Sequence, residues 1–304
     1  MIEFQITVTE EEEDERIDSC IAALAEQQSR SYIQKLIKEG AIVVNHCAVK
    51  SNYRVKINDK IDCRIPDAVE PDIEPEDIPL EILYEDADVL VVNKPKGMVV
   101  HPAAGHLSHT LVNAVMYHCK DNLSGINGVM RPGIVHRIDM NTTGSLIVCK
   151  NDIAHASIAE QLKQHTITRC YRAIVHGVLK EEEGCINAPI GRHPSDRKKM
   201  SVHSKVGKEA ITHYKVLERF SQYTYIECKL ETGRTHQIRV HMASIGHPLL
   251  GDTVYSNHKN TNHLEGQTLH AMSLGFYHPK TQEYIYVEAP LPDYFIHLLE
   301  ILRK

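Results

Sequence analysis

Ile17, Ile21 and Leu24 recur at the spacing of one helix face, and Ile33, Leu36 and Ile37 repeat the pattern. Between the two stripes, Ser29-Arg30-Ser31 supplies N-cap residues, Gln34 stands at capping-box distance from Ser31, and Gly40 suits a helix C-terminus. Apolar runs over 42–45 and 61–65 then predict two short strands, with a turn at Asn58-Asp59 before the second. The order helix, helix, strand, strand predicts a compact unit over 13–75. An acidic stretch over 1–12 precedes it, which charge marks as a solvated arm. Its end is a connector in which Pro71, Pro75 and Pro79 stand among acids.

Beyond residue 76 the pattern mixes periods. Residues 89–93 read as a buried strand ended by Lys94-Pro95-Lys96-Gly97, and a helix from Thr110 to about Tyr117 precedes a loop rich in Gly and Asn. Strand 145–149 leads into a helix capped by Asp152, with Ile153, Ile158 and Leu162 turned inward. Strands then dominate, at 169–175, 210–217, 223–230, 269–276 and 283–288, before a last helix over 294–302. Successive strands without regular helical crossovers predict an α+β fold, with a small N-terminal domain and a larger, mainly antiparallel mixed-sheet domain over 76–304.

The net charge of −6 argues against a nucleic-acid partner only until it is mapped. Residues 1–20 hold eight acids and one base, and residues 67–88 hold ten acids and no base; elsewhere 33 bases stand against 22 acids. That remainder suffices for a phosphate-binding surface. Eight scattered cysteines without a Cys-x-x-Cys pair predict reduced thiols of a cytoplasmic protein. The acidic N-terminus is not a signal peptide, and no apolar run is long enough for a membrane span. Twenty histidines include no His-Glu-x-x-His, and no glycine-rich phosphate loop occurs, so neither a metal nor a cofactor is expected.

The stretch GIVHRIDMNTTG over 133–144 carries the chemistry. Asp139 lies between apolar runs, two residues after Arg137, and precedes an Asn-Thr-Thr-Gly sequence suited to a tight turn. Such a carboxylate is a candidate acid or nucleophile, and equally a candidate for a structural ion pair. Two further segments bear on the choice: TRCYRAIVHG over 168–177, with Tyr171 on a strand, and LETGRTHQIRVHM over 230–242, an arginine-rich turn before a helix.

These three segments, in this order, resemble the RluA/RluD family of pseudouridine synthases, whose catalytic signature is His-Arg-Leu-Asp followed by a Thr-Ser/Thr-Gly turn. The chain departs from it at Ile138 and Met140, neither of which alters the carboxylate. The resemblance implies that Asp139 is catalytic, whether it attacks ribose, adds to uracil or first removes a ribose proton. It implies that Arg137, with His136 beside it, helps extrude the target base, and that Tyr171 stacks on it. Arg234 matches the basic partner of the aspartate, with Arg239 as the competing candidate. The N-terminal unit resembles the αL RNA-binding module of ribosomal proteins and tyrosyl-tRNA synthetases, which implies that Arg30, Lys35, Lys38, Lys50, Arg54 and Lys56 meet phosphates. The basic run over 191–210, with Arg197, Lys198 and Lys199, is similar to the family's RNA-contacting insertion. The RluD branch fits best, implying large-subunit ribosomal RNA as partner of a monomer. The same chemistry on tRNA or another ribosomal site, or a non-catalytic RNA-binding assembly protein, are the alternatives.

Overall fold

The computed structural model describes residues 2–24, 30–65, 73–102, 105–120, 122–124, 132–196, 198–204, 206–258 and 264–304. The chain divides into two compact units, Met1–Glu70 and Pro71–Lys304.

The first unit contains β1 (Ile2–Thr7), α1 (Ile17–Leu24), α2 (Arg30–Lys38), β2 (Ile42–Val44) and β3 (Lys60–Ile65), with the sheet ordered β1-β3-β2. Ile17, Ile21, Ile33, Leu36 and Ile37 meet Val44 and Ile61 in one core. Residues 2–7 correct the expected solvated arm: they pair antiparallel with β3 from Ile2↔Ile65 to Thr7↔Lys60. The alternation of Phe4 and Ile6 with Gln5 and Thr7 explains it, since one strand face then packs on the core. The acids 10–15 form the exposed turn that follows. Gln34 donates to Asp18. Arg30 and Lys35 fall on α2, but their side chains lie outside the described part of the molecule, as does Ser29. Arg54 is engaged with Asp14.

The second unit is built on a nine-stranded sheet. Its strands are β4 (Ile82–Glu85), β5 (Val89–Lys94), β6 (Thr143–Cys149), β7 (Thr168–His176), β8 (Glu183–Asn187), β11 (Ile211–Arg219), β12 (Tyr223–Leu230), β13 (Leu269–Tyr277) and β14 (Tyr284–Glu288). The order is β4-β5-β6-β13-β7-β12-β11-β8, with β14 on β13. A two-stranded ribbon, β9 (Gly191–Arg192) and β10 (Met200–Ser201), lies within the basic run. The helices are α3 (Leu111–Cys119), α4 (Asp152–Lys163), α5 (Gln237–Ser244) and α6 (Asp293–Leu302). Asn151, not Asp152, caps α4, because its side chain accepts the Ala154 N–H, and Ile153 points to solvent at 76% exposure. Residues 134–135 form only an isolated bridge, Ile134 to Val148.

The β6–β13 pair is the one parallel pairing among the described strands, and it sets the site's frame. Gly144 makes it possible. Its φ is +106°, and a Cβ there would come within 2.3 Å of the Ala271 carbonyl oxygen. Gly144→Ala combines left-handed strain with a backbone clash, so it should cost about 2–5 kcal/mol. Urea unfolding should show a lowered midpoint at unchanged slope.

Candidate functional site

Asp139 sits in the turn that feeds β6. The Thr142 N–H donates to its backbone carbonyl at 3.0 Å, which closes the turn the Asn-Thr-Thr stretch was suited to. The next carbonyl, of Met140, is fixed from the other side: Lys94 Nζ donates to it at 3.0 Å and to the carbonyls of Pro95 and Met98 at 2.8 Å. Three acceptors match the three donors of an ammonium. Burial pushes Lys94 down to about 7, and the charge of Asp139 opposes that shift. Gly97 adds its N–H to the same Met140 carbonyl. The backbone beside Asp139 is therefore clamped to the end of β5.

Helix α5 supplies the partner charge. The turn before it is locked by Gln237, whose Oε1 accepts from Thr232 and the Arg234 N–H while its Nε2 donates to Ile211 and Thr212. Two residues on, Arg239 projects to Asp139, with Nη1 donating to Oδ2 at 2.9 Å. Its Nε and Nη2 form a fork on Asp252, at 2.7 and 3.0 Å. Arg234, expected as the partner, instead donates to the Glu209 carbonyl and lines the cleft. The reason is position: Arg234 belongs to the turn, whereas Arg239 is carried on the buried helix face.

Burial alone would raise the Asp252 carboxyl, but the Arg239 bonds and charge, with the Val254 and Tyr255 N–H groups, hold it below its ordinary 3.8. Arg239 is likewise held above its ordinary value, Asp252 and Asp139 outweighing burial. The Asp139 side chain remains 20% exposed. It opens on a cavity of about 360 Å³ lined by Arg137, Tyr171, Leu230, Arg234 and Leu269 among others. A groove of about 1260 Å³, sharing Asp139 and Tyr171, adds Lys163, His165 and Arg169 to its wall.

Tyr171, on β7, is buried, and burial raises its phenol above the ordinary value. Arg137 is exposed at the mouth, 3.5 Å from His101. His136 lines the groove, but its Nε2 accepts the Ile147 N–H, and burial, then Arg169, pushes it down to about 3, so it stands as a neutral acceptor committed to the fold. Lys198 and Lys199 lie in the turn between β9 and β10; Arg197 is outside the described residues. Four residues at the site were not anticipated: Lys94, His236, Asp252 and Tyr255. Asp252 carried a signal, a lone carboxylate closing the apolar run Leu249-Leu250-Gly251.

Among the described residues, Asp86, Asp88 and His278 could converge on a metal. They are spent internally: His278 Nδ1 accepts two backbone N–H groups, leaving Nε2 to donate to Asp86.

Residues 88–244 match the family model described as RNA pseudouridylate synthase, which spans half of the chain, and residues 15–61 match the S4 domain. The chain belongs to the RNA pseudouridylate synthase family. Its N-terminal unit is an S4 domain, an RNA-binding module. The synthase is 54% identical over 304 residues to the uncharacterized RNA pseudouridine synthase YlyB of Bacillus subtilis (strain 168), covering 100% of this chain and 99% of that one. It is 47% identical over 300 residues to ribosomal large subunit pseudouridine synthase D of Zymomonas mobilis, covering 95% and 94%. The solved structure of human RNA pseudouridylate synthase domain containing 1 superposes at a TM-score of 0.58 and 26% identity, covering 79% of this chain and 98% of that one.

The depressed Asp252 carboxyl makes the synthase acid-sensitive in a stated window. Its contribution to stability is fully present above the ordinary carboxyl value near 4 and is lost as pH falls through its lower folded value. Asp252→Asn should cost about 3–5 kcal/mol at pH 7, because a buried guanidinium loses its fork. It should also flatten the acid limb of stability against pH, as read by urea titrations from pH 7 to 3.

Proposed function

We propose that this pseudouridine synthase isomerises uridines of large-subunit ribosomal RNA, with Asp139 as the group that reacts with a flipped-out nucleotide. The observation that carries the reading is the state of the Asp139 carboxylate. Oδ2 is bonded to Arg239, while Oδ1 has no hydrogen-bond partner among the described residues, and Asp139 lines the same cavity as Tyr171. A carboxylate held by a buried guanidinium through one oxygen, with the other uncommitted, is equipped to attack carbon or take a proton.

The chemistry requires the uridine out of its stack, since the N1–C1′ bond must break, the base turn, C5 bond to C1′ and release its proton, and N1 take one up. Tyr171 offers a face for the extruded base, and Arg137, exposed at the mouth, offers a guanidinium plane to fill the vacated stack. The S4 domain and the β9–β10 ribbon, with Lys198 and Lys199, supply positive charge for phosphates. The ribosomal target is supported by relatives named ribosomal large subunit pseudouridine synthase D, from Zymomonas mobilis and from Pseudomonas aeruginosa at 42% identity.

One experiment tests both parts. A strain lacking the gene is complemented with wild-type protein or Asp139→Asn, and pseudouridines are mapped across total RNA. Wild type should restore sites in large-subunit ribosomal RNA and Asp139→Asn none, at equal protein level. Restoration by Asp139→Asn would overturn the role of Asp139. Restoration confined to tRNA would overturn the ribosomal target.

A further inference from the structure

A second polar path reaches Asp139 from the basic ribbon. Met200, at the start of β10, donates its N–H to Tyr255 Oη at 2.8 Å, and Tyr255 Oη lies 2.8 Å from His236 Nδ1. A phenol whose oxygen accepts from Met200 still has its own proton to give. With that proton directed at Nδ1, the imidazole carries its own on Nε2, and this is the tautomer the proposal below uses. That nitrogen stands 3.8 Å from Asp139 Oδ1, the oxygen Arg239 leaves alone.

The arrangement is built rather than incidental. His236 holds a left-handed backbone, φ +57°, immediately before α5, a conformation that persists where its surroundings impose it. Its ring meets Tyr255 edge-on at 5.6 Å, and the Arg239 guanidinium lies 5.2 Å from the Tyr255 ring centre. Met200 and Tyr255 pack together against Ile190, Ala210 and Val240, which seats the ribbon on α5.

We propose that Tyr255 and His236 are positioning residues for the isomerisation, holding an N–H opposite Asp139 Oδ1 and tying its aim to the seating of the β9–β10 ribbon. The proposal rests on the reading of Asp139 as the reacting carboxylate. At 3.8 Å the N–H is beyond a hydrogen bond, and a small closure brings it within one. Lys198 and Lys199 directly precede Met200, so phosphate drawn to that turn acts on the backbone that holds Tyr255.

The test is single-turnover pseudouridine formation by the full-length enzyme on a large-subunit ribosomal RNA transcript, at limiting and saturating enzyme. Tyr255→Phe keeps the ring and removes the hydroxyl. Its saturating rate should fall about three- to ten-fold, the worth of one neutral hydrogen bond, while half-saturation is unchanged. His236→Ala should lose at least as much, and His236→Gln, whose amide N–H can replace Nε2–H, should recover most of it. The double variant Tyr255→Phe/His236→Ala should be no slower than His236→Ala alone. Wild-type rates in both single variants, a loss confined to half-saturation, or losses that multiply would each overturn the proposal. Should His236→Ala fail to fold, the rate and half-saturation of Tyr255→Phe decide it. Asp139→Asn run alongside separates the two readings: if it is inactive while the others match wild type, only the positioning role falls; if it is active, the role of Asp139 falls.

Discussion

A guanidinium shared between two carboxylates governs the geometry of this enzyme. Arg239 uses Nε and Nη2 on Asp252 and has Nη1 left for Asp139. The fork fixes the plane of the group, so the direction of Nη1 is not adjustable. Asp252 is fully buried and anchored by two backbone N–H groups of its own. The aim of Asp139 is thus inherited from a residue that it does not touch. Of the two carboxylates on the guanidinium, Asp139 is the more exposed and lines the cavity.

The rest of the second unit serves that alignment. Lys94 and Gly97 clamp the Met140 carbonyl to the end of β5, and Gly144 lets β6 run beside β13. Gln237 spends all of its hydrogen-bonding capacity holding the turn from which α5 starts. The Asp139 turn and α5 are a hundred residues apart in sequence, yet each is tied to a neighbouring strand by one buried side chain, Lys94 for the turn and Gln237 for the helix. This is the rigidity that the role proposed for the Asp139 carboxylate requires.

Legibility in the sequence followed locality. The Asp139 turn, the strand of Tyr171 and the helix over 237–244 announce themselves in short runs, because apolar strands flanking a polar turn leave a period and a set of turn residues. Partnerships across the fold leave no such trace. Arg234 and Arg239 occur in one motif, and only the helical phase after His236 decides which of them meets Asp139. Asp252 is 113 residues beyond its functional neighbour and looks like any acid after a glycine. Strand β1 is hidden differently: its alternation of apolar residues is readable, but the acids that follow it mask the pattern. Ile153 failed because it lies about 140° around α4 from the buried Ile158 and about 180° from Leu162, on the solvent face.

In the role proposed for Asp139, the geometry of the fork, not charge alone, makes the arginine effective. Arg239→Lys keeps the positive charge and removes the fork. The single-turnover rate at saturating RNA, measured on a variant shown to be folded, tests the claim most directly. If the fork aims Asp139, the rate should fall about a hundred-fold, as expected for a reacting group misplaced by roughly 1 Å, with RNA affinity unchanged. A lysine variant that reacts at the wild-type rate would contradict it, because a point charge would then suffice.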